Sequence, residues 1–195
     1  MKTDEELILE CRAGNGASWE ALIKRHQDRI LNLAYQFTGN QEEARDVAQD
    51  IFVRLYMKKD QYLPGKPFKT WFNSLARNLC IDNYRRRVRD RAVVNTPVEE
   101  FVHLPADIEA TDTRLKRRER KECVQGALQT LGEISREAII LKDLQGHSLE
   151  EVADMLSVPI GTVKSRVFRA RIELGRAIMK LQQVNTQPEG SNGLY

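Results

Sequence analysis

Residues 148–171, SLEEVADMLSVPIGTVKSRVFRAR, leave the backbone few choices. Ser148 and Glu151 have the spacing of a capping box, which predicts a helix from Leu149. Leu149, Val152, Ala153 and Leu156 form its apolar stripe. Pro159 cannot continue that helix but suits the first turn of another. In the second helix Ile160, Val163, Val167, Ala170 and Leu174 recur on one face. The opposite face then carries Gly161, Thr162, Ser165, Phe168 and Arg169, with Lys164 and Arg166 on its flanks. Two helices joined by a tight turn, the second rich in cations, form the pattern that enters a DNA groove. An ordinary solvated basic helix lacks the capped partner and the turn. Phe168 is an apolar residue on a face otherwise made for water or DNA.

The remainder of the chain also reads as helix. Thr3 and Glu6 make another capping box, opening a helix with Leu7, Ile8 and Cys11 inward. Gly14 and Gly16 interrupt it, and a longer helix begins near Ser18 with Trp19, Leu22, Ile23, His26, Ile30, Leu33, Ala34 and Phe37 as its stripe. Gly39-Asn40 ends that helix. A third spans about Gln41 to Lys58, and a fourth runs from Phe68 to about Arg87 after the Pro64-Gly65 loop. Periodicity then fails between Val93 and Ala110, where Pro97, Pro105 and a run of acids predict a linker. Helices resume near Thr111 and run to Leu131, then from Ser135 to Leu144, closed by Gly146. The expected architecture is all-α, with two small helical domains over 3–92 and 112–182. A flexible linker over 93–111 joins them, and a polar tail over 183–195 follows.

The net charge of +3 conceals an uneven distribution. Lys69, Arg77, Arg85, Arg86, Arg87, Arg89 and Arg91 face only Asp82 and Asp90, and a second basic run lies between Lys164 and Lys180. Glu99, Glu100, Asp107, Glu109 and Asp112 stand between them without a base. Two basic patches divided by acid point to two separate contacts with nucleic acid. In the fourth helix, cations anchor phosphates while Asn78 offers an amide to a base edge. Trp71 and Phe72 read either as core or as rings for stacking unpaired bases. Asp46, Gln49 and Asp50 put acids on the outer face of the third helix; acids repel DNA, so this face meets either a protein or water.

Catalysis is not indicated. His26, His103 and His147 are scattered, with no nucleophile motif or phosphate loop, so neither an enzyme nor a cofactor is expected. Cys11, Cys80 and Cys123 lack metal-ligand spacing, and no metal site is expected. Their odd number fits a reducing, cytoplasmic setting with each thiol as buried filler. No apolar run approaches transmembrane length, so no direct membrane insertion is expected.

The motifs together resemble the bacterial sigma-70 family, in particular its extracytoplasmic-function (ECF) group. Asp46-Val-Ala-Gln-Asp-Ile-Phe-Val-Arg-Leu-Tyr56 resembles region 2.2 of that family. Phe68-Lys-Thr-Trp, Ala76-Arg-Asn-Leu-Cys-Ile-Asp82 and Arg85-Arg-Arg87 resemble regions 2.3 and 2.4. Ser148 to Leu156 and Gly161-Thr-Val-Lys-Ser-Arg with Arg169-Ala-Arg171 resemble region 4. The resemblance implies a promoter-specificity subunit that binds core RNA polymerase and directs initiation. It implies docking on the clamp helices of the largest subunit through Asp46, Gln49, Asp50 and Phe52, and contact of the second domain with the polymerase flap. It implies recognition and melting of the promoter −10 element by Lys69, Trp71, Arg77, Asn78, Arg85 and Arg86. Reading of the −35 element would fall to Thr162, Lys164, Ser165, Arg166, Phe168 and Arg169. An anti-sigma factor is the implied regulatory partner. The longer sigmas' middle domain and N-terminal inhibitory region are not expected, as in that group.

Two departures stand out. Gly132 occupies a position where the family usually has proline, implying a looser entry into the next helix. Asn73-Ser74 replaces an aromatic-basic pair, so no base-specific role carries over to either. Two other functions compete. A stand-alone helix-turn-helix regulator would bind palindromic DNA as a dimer without polymerase. A sigma mimic that titrates an anti-sigma factor would not need intact DNA-reading residues.

Overall fold

The computed structural model describes residues 2–94 and 112–185, with side chains over 2–90 and 118–183. The acids Glu99, Glu100, Asp107 and Glu109, and most of the expected linker and tail, lie outside the described residues. The described elements are α1 (Asp4–Arg12), α2 (Gly16–Thr38), α3 (Gln41–Lys58), α4 (Phe68–Val94), α5 (Asp112–Thr130), α6 (Glu133–Ile139), α7 (Leu149–Leu156) and α8 (Ile160–Asn185). A 3-10 turn at Lys59–Gln61 follows α3, and a π-helical turn at Ile140–Leu144 follows α6.

Local chemistry sets most boundaries. Both capping boxes form: Thr3 and Glu6 exchange backbone-to-side-chain bonds, as do Ser148 and Glu151. Asn15 accepts from the Ser18 N–H, so α2 starts at Gly16, two residues before the expected start. Gly39 ends α2 at φ 75, the left-handed conformation that glycine adopts at least cost. Helix α4 passes the expected stop near Arg87 and reaches Val94, and α8 reaches Asn185. The turn before α8 has Ser157 at φ 53, a left-handed cap made without glycine. Gly132 is the N-cap of α6 at φ −63, a value that proline would also hold.

Helices α1 to α4 pack around Ile8, Leu22, Ile30, Phe37, Ile51, Leu55, Phe68 and Phe72. Helices α5 to α8 pack around Leu128, Ile139, Ile140, Val152, Val163 and Val167. Met155 is buried where the expected α7 stripe omitted it, and Ile160, expected inward, is 37% exposed. Cys11 and Cys80 are buried, and burial pushes the Cys80 thiol up to about 12. Cys123 is only half-buried, so the reading of each thiol as buried filler fails there. No described helix is long and apolar enough to cross a membrane.

The two halves pack directly against one another. Helix α5 lies on α2 and α7 lies on α4, and the buried apolar residues of both halves form one continuous cluster. The C-terminus of α2 explains the polar part of this junction. A helix leaves its last four carbonyls unsatisfied. Gln125 Nε2 donates to the Tyr35 carbonyl at 2.9 Å, Gln129 Nε2 to Gln36 at 3.3 Å and Arg136 Nη1 to Phe37 at 3.4 Å. Arg87 Nη1 supplies Thr38 at 2.8 Å from within the first half. Three of these four donors therefore come from the second domain.

Candidate nucleic-acid interface

Burying Val163, Val167 and Ala170 turns the opposite side of α8 to the surface. Gly161, Lys164, Ser165, Phe168 and Arg169 are exposed there, while Thr162 and Arg166 are half-buried at its margins. Phe168 is 66% exposed, an aromatic ring set among the exposed polar residues of this face. Arg169 Nε bonds back to the Ser165 carbonyl at 3.3 Å, which aims the guanidinium along the face. Arg171 is different: it forks onto Asp143 at 2.6 and 2.9 Å and is taken up within the domain.

Helix α4 divides its expected contacts. Lys69, Asn78 and Arg86 are exposed. Trp71 is half-buried against Tyr62 and Phe68, at ring-centroid separations of 5.4 and 5.9 Å. Phe72 is fully buried, which decides its role as core. Arg77 Nε is ion-paired to Glu137 and its Nη1 donates to Asn78 Oδ1 at 2.7 Å. Arg85 forks onto Glu133, with Nη2 at 2.7 Å from Oε1 and Nε at 3.1 Å from Oε2. Beside this pair an open cleft of about 560 Å³ is lined by Asp82, Tyr84, Arg85, Val88, Arg89 and Glu133. Two of the six expected −10 residues thus face acids of α6. Sequence periodicity could not reveal this, because Glu133 and Glu137 look like ordinary acids near a helix start.

Asn73 is taken up in packing between helices. It is buried, accepts from Arg29 Nη1 at 2.5 Å, and approaches His147 Nε2 at 3.4 Å. His147, also buried, has Glu151 at 3.5 Å from its other ring nitrogen. Burial holds the His147 imidazole below its ordinary value; Lys69 and Arg29 push the same way and Glu151 opposes them. Burial also lowers His26 against the Asp4 carboxylate at 2.9 Å. Histidines depressed in the folded state bind fewer protons than the unfolded chain. Stability is therefore expected to be complete above the unfolded value near ~6.5 and to fall as pH drops below it. Urea midpoints at pH 7.5 and 5.5 check this, and His147→Gln should shrink the difference.

On α3 the acids Asp46 and Asp50 and the amide Gln49 are exposed as expected. Phe52 is not: it is half-buried, its ring 6.0 Å from that of Phe72, and it supports the face from beneath. The sequence reading overlooked the exposed apolar residues Val53, Tyr56 and Met57 of α3, with Met57 71% exposed. The four-residue spacing of Gln49, Val53 and Met57 on the acidic side was the available signal. Among the described residues, no three His, Cys, Asp or Glu side chains gather as a metal site would need.

Comparison with known proteins agrees with this arrangement of parts. A family model of Sigma-70 region 2 matches residues 22–90, and one of Sigma-70 region 4 matches residues 121–174. The chain is 31% identical over 186 residues to the RNA polymerase sigma-H factor of Pseudomonas aeruginosa, covering 93% of this chain and 96% of that one. It is 35% identical over 157 residues to the ECF RNA polymerase sigma factor SigE of Mycolicibacterium smegmatis, covering 80% of this chain and 60% of that protein's length. Among solved structures, the sigma factor RpoE in complex with the anti-sigma factor NepR from Bartonella quintana superposes with a TM-score of 0.64 at 27% identity. That match covers 82% of this chain and 96% of that one.

Proposed function

The chain belongs to the sigma-70 family, as an ECF RNA polymerase sigma factor, and from that membership we propose how its surfaces divide the work. The exposed face of α8, with Thr162, Lys164, Ser165, Arg166, Phe168 and Arg169, reads the −35 element in the major groove. Arg169 is placed to fork onto a base edge, and Phe168 offers an apolar surface to a thymine methyl. The basic side of α4, with Lys69, Arg77, Asn78, Arg85 and Arg86, holds the −10 strand; Trp71 flanks it from its half-buried seat. Extruding a base costs a few kcal/mol, so polymerase contacts must contribute to melting. The α3 face of Asp46, Gln49 and Asp50, bordered by Val53 and Met57, docks on the polymerase clamp helices, with α5–α8 on the flap. The domains follow as 3–92 for core binding and −10 recognition and 112–182 for −35 recognition. The chain carries no catalytic group of its own in this reading and acts in the cytoplasm, where polymerase works. An anti-sigma factor is its regulatory partner; a bound one in the RpoE complex supports this.

The observation that carries the reading is the exposure of Phe168 and Arg169 on a helix that buries Val163, Val167 and Ala170 on its other side. Added to core polymerase, the protein is expected to produce promoter-specific transcription starts genome-wide. Starts indistinguishable from core alone would reject the reading, and palindromic binding without polymerase would favour a stand-alone regulator. Arg169→Ala is expected to weaken promoter binding by about 1–3 kcal/mol, most strongly at promoters with the native −35 sequence. An equal loss at altered −35 sequences would make it a phosphate contact.

A further inference from the structure

Taking α4 as the −10 contact helix, a reading on which the rest depends, we infer that Glu5 is a positioning residue for promoter opening. From α1, which carries none of the proposed DNA contacts, it caps the start of α4 and so fixes the turn that presents Lys69 and Trp71.

Helix α4 cannot cap itself. The Pro67 carbonyl accepts from the Trp71 N–H at 3.4 Å, but the proline ring offers no acceptor for the unpaired amides of the first turn. Glu5, 63 positions away, fills that place: its Oε1 accepts from the Phe68 N–H at 3.0 Å. Phe68 is 0% exposed, so in this packing its N–H has no contact with water. The bond is charge-assisted, and a carboxylate at a helix N-terminus also suits the dipole.

The segment leading into α4 is held from the same helix. Arg12 follows Glu5 by seven positions, two turns along the same side of α1. Its Nη1 donates to the Tyr62 carbonyl at 3.2 Å and its Nε lies 3.5 Å from Asp60. Tyr62 in turn donates its hydroxyl to the Lys66 carbonyl, which closes the segment on itself. These holds converge on the proposed contacts. The Tyr62 and Phe68 rings form the seat of Trp71, and Lys69 directly follows the capped residue. The footing of the cap is firm as well. Asp4, beside Glu5, meets His26 Nε2 at 2.9 Å and Arg25 Nη1 at 2.5 Å on α2. Packing of α1 does not need Glu5, because Leu7, Ile8 and Cys11 already bury its apolar face. What Glu5 adds is order in the first turn of α4 before DNA arrives, so that binding does not have to supply it.

The test uses the full chain bound to core polymerase, on a promoter located by start mapping. Permanganate reactivity of unpaired thymines reads strand separation at the −10 element. Glu5→Ala is expected to slow strand separation by about tenfold or more, the ratio equivalent to one lost hydrogen bond to a charged group. Glu5→Gln keeps an acceptor oxygen for the Phe68 N–H and should restore most of the rate. Affinity for core polymerase, assigned to α3 of the same bundle, should be unchanged in both. If Glu5→Ala weakens core binding and strand separation by the same factor, Glu5 only supports the bundle and the inference is overturned. Glu5→Gln as slow as alanine overturns it too, since an acceptor at Phe68 would then not matter. Lys69→Ala, an exposed change, separates the two claims. If it slows strand separation and Glu5→Ala does not, the cap is overturned and the −10 role stands. If Lys69→Ala is silent, the −10 role of this turn fails and the positioning role falls with it.

Discussion

Arg136→Ala is expected to destabilise the protein by about 3 kcal/mol, because a buried charge-assisted donor is lost and several buried carbonyls are left without it. Arg136 is 3% exposed. Its Nε donates to the Leu128 carbonyl at 2.8 Å, and its Nη2 to Gln129 at 2.7 Å and Leu131 at 3.1 Å. These carbonyls lie at the C-terminal end of α5, where an arginine supplies both donors and a charge favourable to the helix dipole. The same guanidinium reaches Phe37 on α2 and lies over the Tyr84 ring at 4.4 Å. Arg136→Lys keeps the charge but not the planar fork, and should recover only part of the loss. Urea denaturation followed by circular dichroism reads both. A loss of under about 1 kcal/mol for alanine would mean that the carbonyls find other donors, and the assignment of Arg136 as the joint of the second domain would fail.

The second large effect belongs to the first domain. Phe72→Ala is expected to cost about 3–5 kcal/mol, the range for deleting a fully buried ring and leaving a cavity. Phe72 sits among His26, Phe52 and Phe68, with centroids 5.5, 6.0 and 5.4 Å away. Native domains have only about 5–15 kcal/mol of stability, so this loss is a large fraction of the total. Trp71→Ala, next in sequence but half-buried, should cost clearly less. Equal losses would contradict the placement of Phe72 as the centre of the core and Trp71 as its rim.

The contrast between these neighbours shows what a pattern in sequence can carry. The sequence left both rings open to be core or stacking surface, because periodicity gives only a direction and not a depth. The rings of His26 on α2, Phe52 on α3 and Tyr62 in the loop that follows decide how far each ring is covered. Phe52 shows the same limit: its position in the motif was legible, but the Phe72 ring 6.0 Å away was not. The outward face of α8 was legible nearly in full, because a capped helix, a proline turn and a buried stripe are all local signals. Ile160 was the exception among the stripe residues; at the first turn of α8 it remains 37% exposed.

The sequence by itself determined the helices, most of their ends, the two basic faces and the family, since these depend on residues within a few positions of each other. Tertiary structure alone decided which cations are available. Arg77 and Arg85 look identical in kind to Arg86, yet Glu137 and Glu133, 60 and 48 positions away, engage the first two while Arg86 is exposed. The reach of that pairing is set by how α6 lies against α4. No spacing rule along the chain encodes it, because a charge pair between helices depends on distance through space and on the water excluded between them.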